Sequence, residues 1–175
     1  VRPRGRPAGG LPARPLGRRG WLVPPRAVGG AAAAPATLLF TSAYRFGVPA
    51  NSAAYFIENE FLGDDVNKWT DIARDRAGVR SLAQATDGRF HESARYRDVF
   101  QPLGLADELR AVLRIQGATW GFLCLHRAAG RTYTEAEAAW IRRLSPHLAD
   151  GMRGALLRDS ADEPDLDAGP GVVML

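Results

Sequence analysis

The stretch DELRAVLRIQGATWGFLCLHR, Asp107 to Arg127, decides the fold. Leu109, Ala111, Leu113 and Ile115 alternate with Arg110, Val112 and Arg114, the two-residue period of a strand with one face in a core. Gln116-Gly117-Ala118 supplies a short connection in which glycine can take a positive φ. From Trp120 to His126 the chain is apolar on both faces. Trp120, Phe122 and Cys124 point one way; Gly121, Leu123 and Leu125 point the other. Such a strand belongs in the middle of a sheet, with helices over one face and a helix, a partner chain or a ligand pocket over the other.

Working outward, the 175 residues suffice for one domain with a real core, and the 46% hydrophobic content is that of a globular protein. Net charge is +4, yet it is unevenly placed. Residues 1–35 carry seven arginines and no acid, which leaves −3 for the remainder. The basic character therefore belongs to a tail and does not argue for nucleic acid binding by the folded part. Cys124 is the single cysteine, so no intrachain disulfide and no thiol-based zinc cluster can form, and a reducing cytoplasm is expected. No run approaches the ~20 apolar residues of a membrane helix.

Residues 1–35, almost all Arg, Pro, Gly, Ala and Leu, cannot sustain a helical or strand period and are expected to be disordered. Within them Pro3-Arg4-Gly5-Arg6-Pro7 resembles the core of an AT-hook, in which Arg4 and Arg6 would lie in a narrow minor groove and Gly5 would permit close approach. The alternation in ATLLFTSAYR, residues 36–45, predicts a strand, and Gly47-Val48-Pro49 ends it. Ser52 caps a predicted helix to about Leu62. A second helix is predicted from Val66 to about Arg76, with Asp64 and Asp65 at its positive end. SLAQAT, residues 81–86, reads as a short piece, and Ser93 opens one or two helical turns ending before Pro102. Thr134-Glu135-Ala136-Glu137 is a capping box for a long helix to Arg158, in which Pro146 predicts a bend. An acidic linker, 159–168, follows, and 169–175 reads as the opening strand of a further module, so the chain is expected to be incomplete at both ends.

These elements add up to an α+β domain over 36–158, an antiparallel sheet flanked by helices. TLLFTSAY, FLGDDVNKWTDIAR, YRDVFQPLGLADELRAVL, GATWGFLCLHR and RRLSPHLADGMRGALL together resemble the GAF-like sensory region of actinobacterial helix-turn-helix transcriptional regulators of the LuxR type. The resemblance implies a GAF/PAS-like fold, a small-molecule ligand and dimerisation through the helix 134–158. It also implies DNA binding by a helix-turn-helix that this chain does not contain. It further implies a helix and a strand ahead of TLLFTSAY. Residues 1–35 read as neither, so one strand of the sheet and one packing helix are expected to be missing.

No catalytic constellation stands out, and a non-catalytic protein is expected. Of the histidines, His91 lies in a polar loop, His147 follows Pro146, and His126 shares a strand face with Cys124. A metal site needs three or four converging ligands, and the sequence shows no third at helpful spacing, so no metal and no cofactor is assigned. Cys124 reads as a small buried hydrophobe. Asp64-Asp65 and Glu58-Glu60 read as helix-end and surface acids, and Ser93 and Ser145 lack a paired base. The resemblance places a ligand between the sheet and the helices before the hairpin, lined by Phe61, Trp69, Phe100, Trp120 and Phe122. Read from spacing alone, these five aromatics are core.

Overall fold

A computed structural model describes residues 26–47, 49, 52–128 and 130–162, with side chains as far as Arg158. Five strands form one antiparallel sheet: β1 (Ala27–Ala33), β2 (Phe40–Phe46), β3 (Val79–Ser81), β4 (Leu105–Ile115) and β5 (Ala118–Ala128). Their spatial order is β2-β1-β5-β4-β3. Helices α1 (Ser52–Phe61), α2 (Trp69–Arg74) and α3 (Leu82–Ala85) lie between β2 and β4 in sequence, and α4 (Glu135–Asp162) follows β5.

The opening stretch forms the expected hairpin. Ile115 pairs with Ala118, and both turn residues are left-handed, Gln116 at φ 51° and Gly117 at φ 80°. That is the two-residue turn whose twist matches a right-twisted hairpin. β5 takes the middle of the sheet, flanked by β4 and β1.

The reading of residues 1–35 requires correction. Ala27–Ala33 is a strand, paired on one side with β2 (Val28 with Phe46) and on the other with β5 (Ala27 with His126). The strand expected to be missing is therefore present, spelled AVGGAAA. It carries almost no side-chain signal of its own. Two hydrogen-bonded neighbours impose its conformation, since strand formation follows context more than propensity. Residues 1–25, which include the AT-hook-like Arg4-Gly5-Arg6, lie outside the described residues, as do the last residues of the acidic linker and 169–175. β2 begins at Phe40, later than expected, because residues 34–39 form the turn that returns β1. The helix expected over 66–76 is confined to Trp69–Arg74, because Asp65 and Val66 are taken up by a buried arginine described below.

Each face of the sheet has its own core. Leu109, Ala111 and Leu125 pack with Val79 against Tyr133, Ala138 and Ile141 at the start of α4. The α4 capping box forms as the sequence predicts: Thr134 Oγ1 accepts from the Glu137 N–H and the Glu137 carboxylate accepts from the Thr134 N–H. Pro146 sits inside α4. On the opposite face Ala31, Ala33, Val112 and Phe122 meet Trp69 and Ile72 of α2. Farther along, Leu82, Val99, Phe100 and Leu105 cluster under Phe56. Hence β4 is covered on both sides. Its alternate residues Glu108 and Arg110, on the face expected to look outward, are 0% and 3% exposed.

Candidate functional site

Between the α1/α2 face of the sheet and the inner side of α1 lies a cavity of about 330 Å³. Phe40, Phe122, Trp69, Phe56 and Ile57 give it apolar walls. Gly29, Gly30 and Ala31 form its floor, and the small residues of β1 leave the space. The aromatic walls brace one another, with ring centroids 4.8 Å apart for Trp69 and Phe122 and 5.5 Å for Phe40 and Phe122.

One end of the cavity is polar. Strands β4 and β5 place Glu108 opposite His126 and Arg110 opposite Cys124 in register, with all four side chains lining the cavity. Arg110 donates to Glu60 at 2.7 Å, lies 3.1 Å from Glu108 and stacks 4.5 Å over the Trp69 ring. Glu60, at the end of α1, also accepts the first backbone N–H of α2, from Trp69, at 2.6 Å. One carboxylate thus fixes two helices and an arginine. Behind Glu108 stands Arg95, wholly buried, bound to Glu108 at 3.1 Å, Asp65 at 3.2 Å and Asn59 at 2.9 Å. Asp65 also accepts from the backbone N–H groups of Val66 and Arg95 and from Ser93 Oγ.

Burial and charge set the protonation states. Burial opposes ionisation of Glu108, but Arg110 and Arg95 outweigh it and hold the carboxyl well below its ordinary range. Asp65 is likewise held down, by Arg95 and by backbone donors acting against burial. Burial pushes the Cys124 thiol well up, and the Glu108 charge adds to this. His126 falls to about 4, chiefly through burial, and is neutral near pH 7. The thiol donates to Glu108 Oε1 at 2.9 Å, and Nε2 of His126 lies 3.3 Å from the sulfur.

Of the five expected ligand-lining aromatics, the structure brings Trp69 and Phe122 to the cavity. Phe61 stands outside, edge-on to Phe40 at 5.4 Å. Phe100 is fully buried behind the polar end, 4.9 Å from the His126 ring. Trp120 is half-buried beside the irregular register of β4 and β5 and does not line the cavity. The expectation that Cys124 and His126 lack a third converging group is corrected. Glu108, sixteen residues upstream of Cys124 in sequence, is their neighbour across the ladder. Glu60 and the Asp65 carboxylate are buried where surface acids were expected, whereas Glu58 and Asp64 are exposed. Ser93 caps the turn at Tyr96 and Ser145 bonds the Ile141 carbonyl. His91 and His147 are exposed.

No protein-family model matches the chain, and no curated protein matches it. Among solved structures it is similar to a GAF domain/HD domain protein from Geobacter sulfurreducens. The TM-score is 0.55 at 20% identity over 78% of this chain and 85% of that one. It also aligns with the GAF domain of a two-component sensor histidine kinase from Bacillus halodurans, with TM-score 0.45 at 16% identity over 79% and 88% of the two chains. The five-stranded antiparallel sheet flanked by helices is a GAF-like fold. No helix among the described residues is long and apolar enough to cross a membrane.

Proposed function

We propose that this chain is a non-catalytic sensory module of a LuxR-type transcriptional regulator, working in the cytoplasm and taking a small organic ligand into the cavity over β1 and β5. The cavity itself carries the reading: about 330 Å³, apolar on its walls, with a few fixed polar groups converging at one end. That is the usual constitution of a small-molecule site. His126 stands beside the Cys124 thiol, but burial and the Glu108 charge hold that thiol protonated, which argues against its use as a nucleophile. In this reading α4 carries the signal and the self-association surface. Its exposed Trp140, Leu148 and Leu157 are apolar groups for a second copy to cover, and DNA is bound by a helix-turn-helix of the same regulator outside this chain.

The test is thermal unfolding of the full chain against a panel of metabolites, paired with sedimentation. The expected result is one chemical class that raises the midpoint or alters self-association, with the shift lost in Ala31→Met, which fills the cavity from its floor. A chain that stays monomeric and unmoved by every compound overturns the proposal.

A further inference from the structure

At the polar end of the cavity, one atom each from Glu108, Cys124 and His126 lies within 4.8 Å of the other two. The sulfur is 3.3 Å from Nε2 and 2.9 Å from Oε1. Around a four-coordinate ion with bonds of about 2.0–2.3 Å, neighbouring ligand atoms stand roughly 3.5 Å apart. The S–N separation needs to open by about 0.2 Å and the S–O separation by about 0.6 Å to reach that spacing.

The proton inventory leaves the imidazole tautomer open. The three atoms lie close together at the polar end of the cavity. The thiol proton serves Oε1, which leaves Nε2 and the sulfur facing each other. If Nε2 holds the imidazole proton it donates to the sulfur, and Nδ1 is then a bare acceptor. Nδ1 is buried without a hydrogen-bond partner, and the His126 ring is covered by Phe100 at 4.9 Å. If Nδ1 holds the proton, the donor is orphaned and Nε2 faces sulfur with nothing between. Either tautomer leaves Nδ1 unpaired, with or without a cation on Nε2, so this atom does not decide the matter.

Charge favours a cation. Arg95 is paired with Asp65 and Arg110 with Glu60, so Glu108, touched by both arginines, leaves the buried cluster one negative charge in excess. An anionic ligand would worsen that imbalance. A divalent ion that displaces the thiol proton brings the cluster to neutrality.

We propose that Glu108, Cys124 and His126 form a binding site for one divalent first-row transition ion of the zinc class, with its remaining coordination position open to the cavity. The donor set is one thiolate, one imidazole and one carboxylate, which suits a borderline ion and not Mg²⁺ or Ca²⁺. On binding, the S–H bond breaks, its proton leaves to water and the sulfur electron pair forms the metal bond. Arg95 and Arg110 remain on the carboxylate as the outer partners that orient it. The site stands independently of the organic ligand proposed above.

Cobalt is the probe. Untagged full chain, stripped with chelator, is titrated with Co²⁺ and followed by absorption. Because Cys124 is the single cysteine, a thiolate-to-cobalt charge-transfer band reports this sulfur directly. The expected result is that band at one equivalent per chain, with the d–d intensity of a four-coordinate ion. Zn²⁺ should displace it and excess Mg²⁺ should not. His126→Gln, checked as folded by circular dichroism, should weaken Co²⁺ binding by about tenfold or more. Cooperatively folded wild-type chain that develops no charge-transfer band overturns the site. So does a band that keeps its full affinity in folded His126→Gln. Wild-type chain that responds to an organic compound but not to Co²⁺ refutes the metal site alone and leaves the sensor reading standing.

Discussion

Replacing Arg95 by methionine should be among the most damaging single changes available to this fold. The guanidinium is wholly buried and bridges Asp65 and Glu108, both with fully buried side chains. Removing one member of a buried ion pair costs about 3–5 kcal/mol, because the partner keeps its desolvation penalty and loses its compensation. Two carboxylates are stripped here, yet neither is left bare. Asp65 keeps two backbone N–H groups, Asn59 and Ser93; Glu108 keeps Arg110 and the Cys124 thiol. The expected loss is therefore near a single pair, about 4 kcal/mol, not twice that. In urea titration at neutral pH, with a slope of about 2 kcal/mol per molar, the midpoint should fall by roughly 2 M. Adding Glu108→Gln to Arg95→Met should cost less than the sum of the two single changes, by about 1 kcal/mol or more, because it neutralises the stranded charge. A loss below about 1 kcal/mol for Arg95→Met would mean that water reaches the cluster and would refute the account of a dry, paired interior.

Gly121→Ala should destabilise by about 1–3 kcal/mol, since a Cβ there would fall 2.6 Å from the Ala31 carbonyl oxygen and against the Met152 sulfur. Met152→Ala should restore only part of the loss in chemical denaturation, because the carbonyl belongs to the β1–β5 ladder and cannot withdraw. The hydrogen bonds from Arg127 hold Glu137 down to about 2 from its ordinary 4.5, so their stabilisation is complete above that ordinary value and fades as pH falls from there toward 2. Stability measured against pH should therefore fall less steeply through that window in Glu137→Gln than in wild type, and parallel curves would contradict this. Thr134→Ala removes the hydroxyl of the α4 capping box and should cost about 1 kcal/mol, read as a lower thermal midpoint with an unchanged fold.

The sequence made the hairpin and the long helix readable for physical reasons. Alternation, a Gln-Gly turn and a capping box are local codes, and each appears where it is written. β1 has no such code. AVGGAAA resembles the arginine-rich tract before it in being small and featureless, and its strand state comes from partners far along the chain. The site was half legible. Cys124 and His126 share a strand face by simple alternation, but Glu108 reaches them only across the ladder, which one strand read alone cannot reveal. The burial of Glu108 and Arg110 was hidden because alternating charges imitate a solvated face. Only Glu60 from α1 and Arg95 from the turn before β4 convert that face into an interior. Phe61, Phe100 and Trp120 stand off the cavity: spacing marks an aromatic as apolar but not which wall it faces, and Phe61 is 43% exposed.

The pairing of Ala27 with His126 also has a consequence for the order in which the molecule assembles. The β4–β5 hairpin closes across two residues and can form in microseconds, whereas β1 must wait for a strand that leaves the ribosome almost a whole domain later. Until then β1 and β2 can offer only a two-stranded ribbon, poor in apolar side chains along β1 and marginal in water. The floor of the cavity thus cannot close before β5 is made, and until it does the β5 edge that carries Cys124 and His126 lacks its β1 partner.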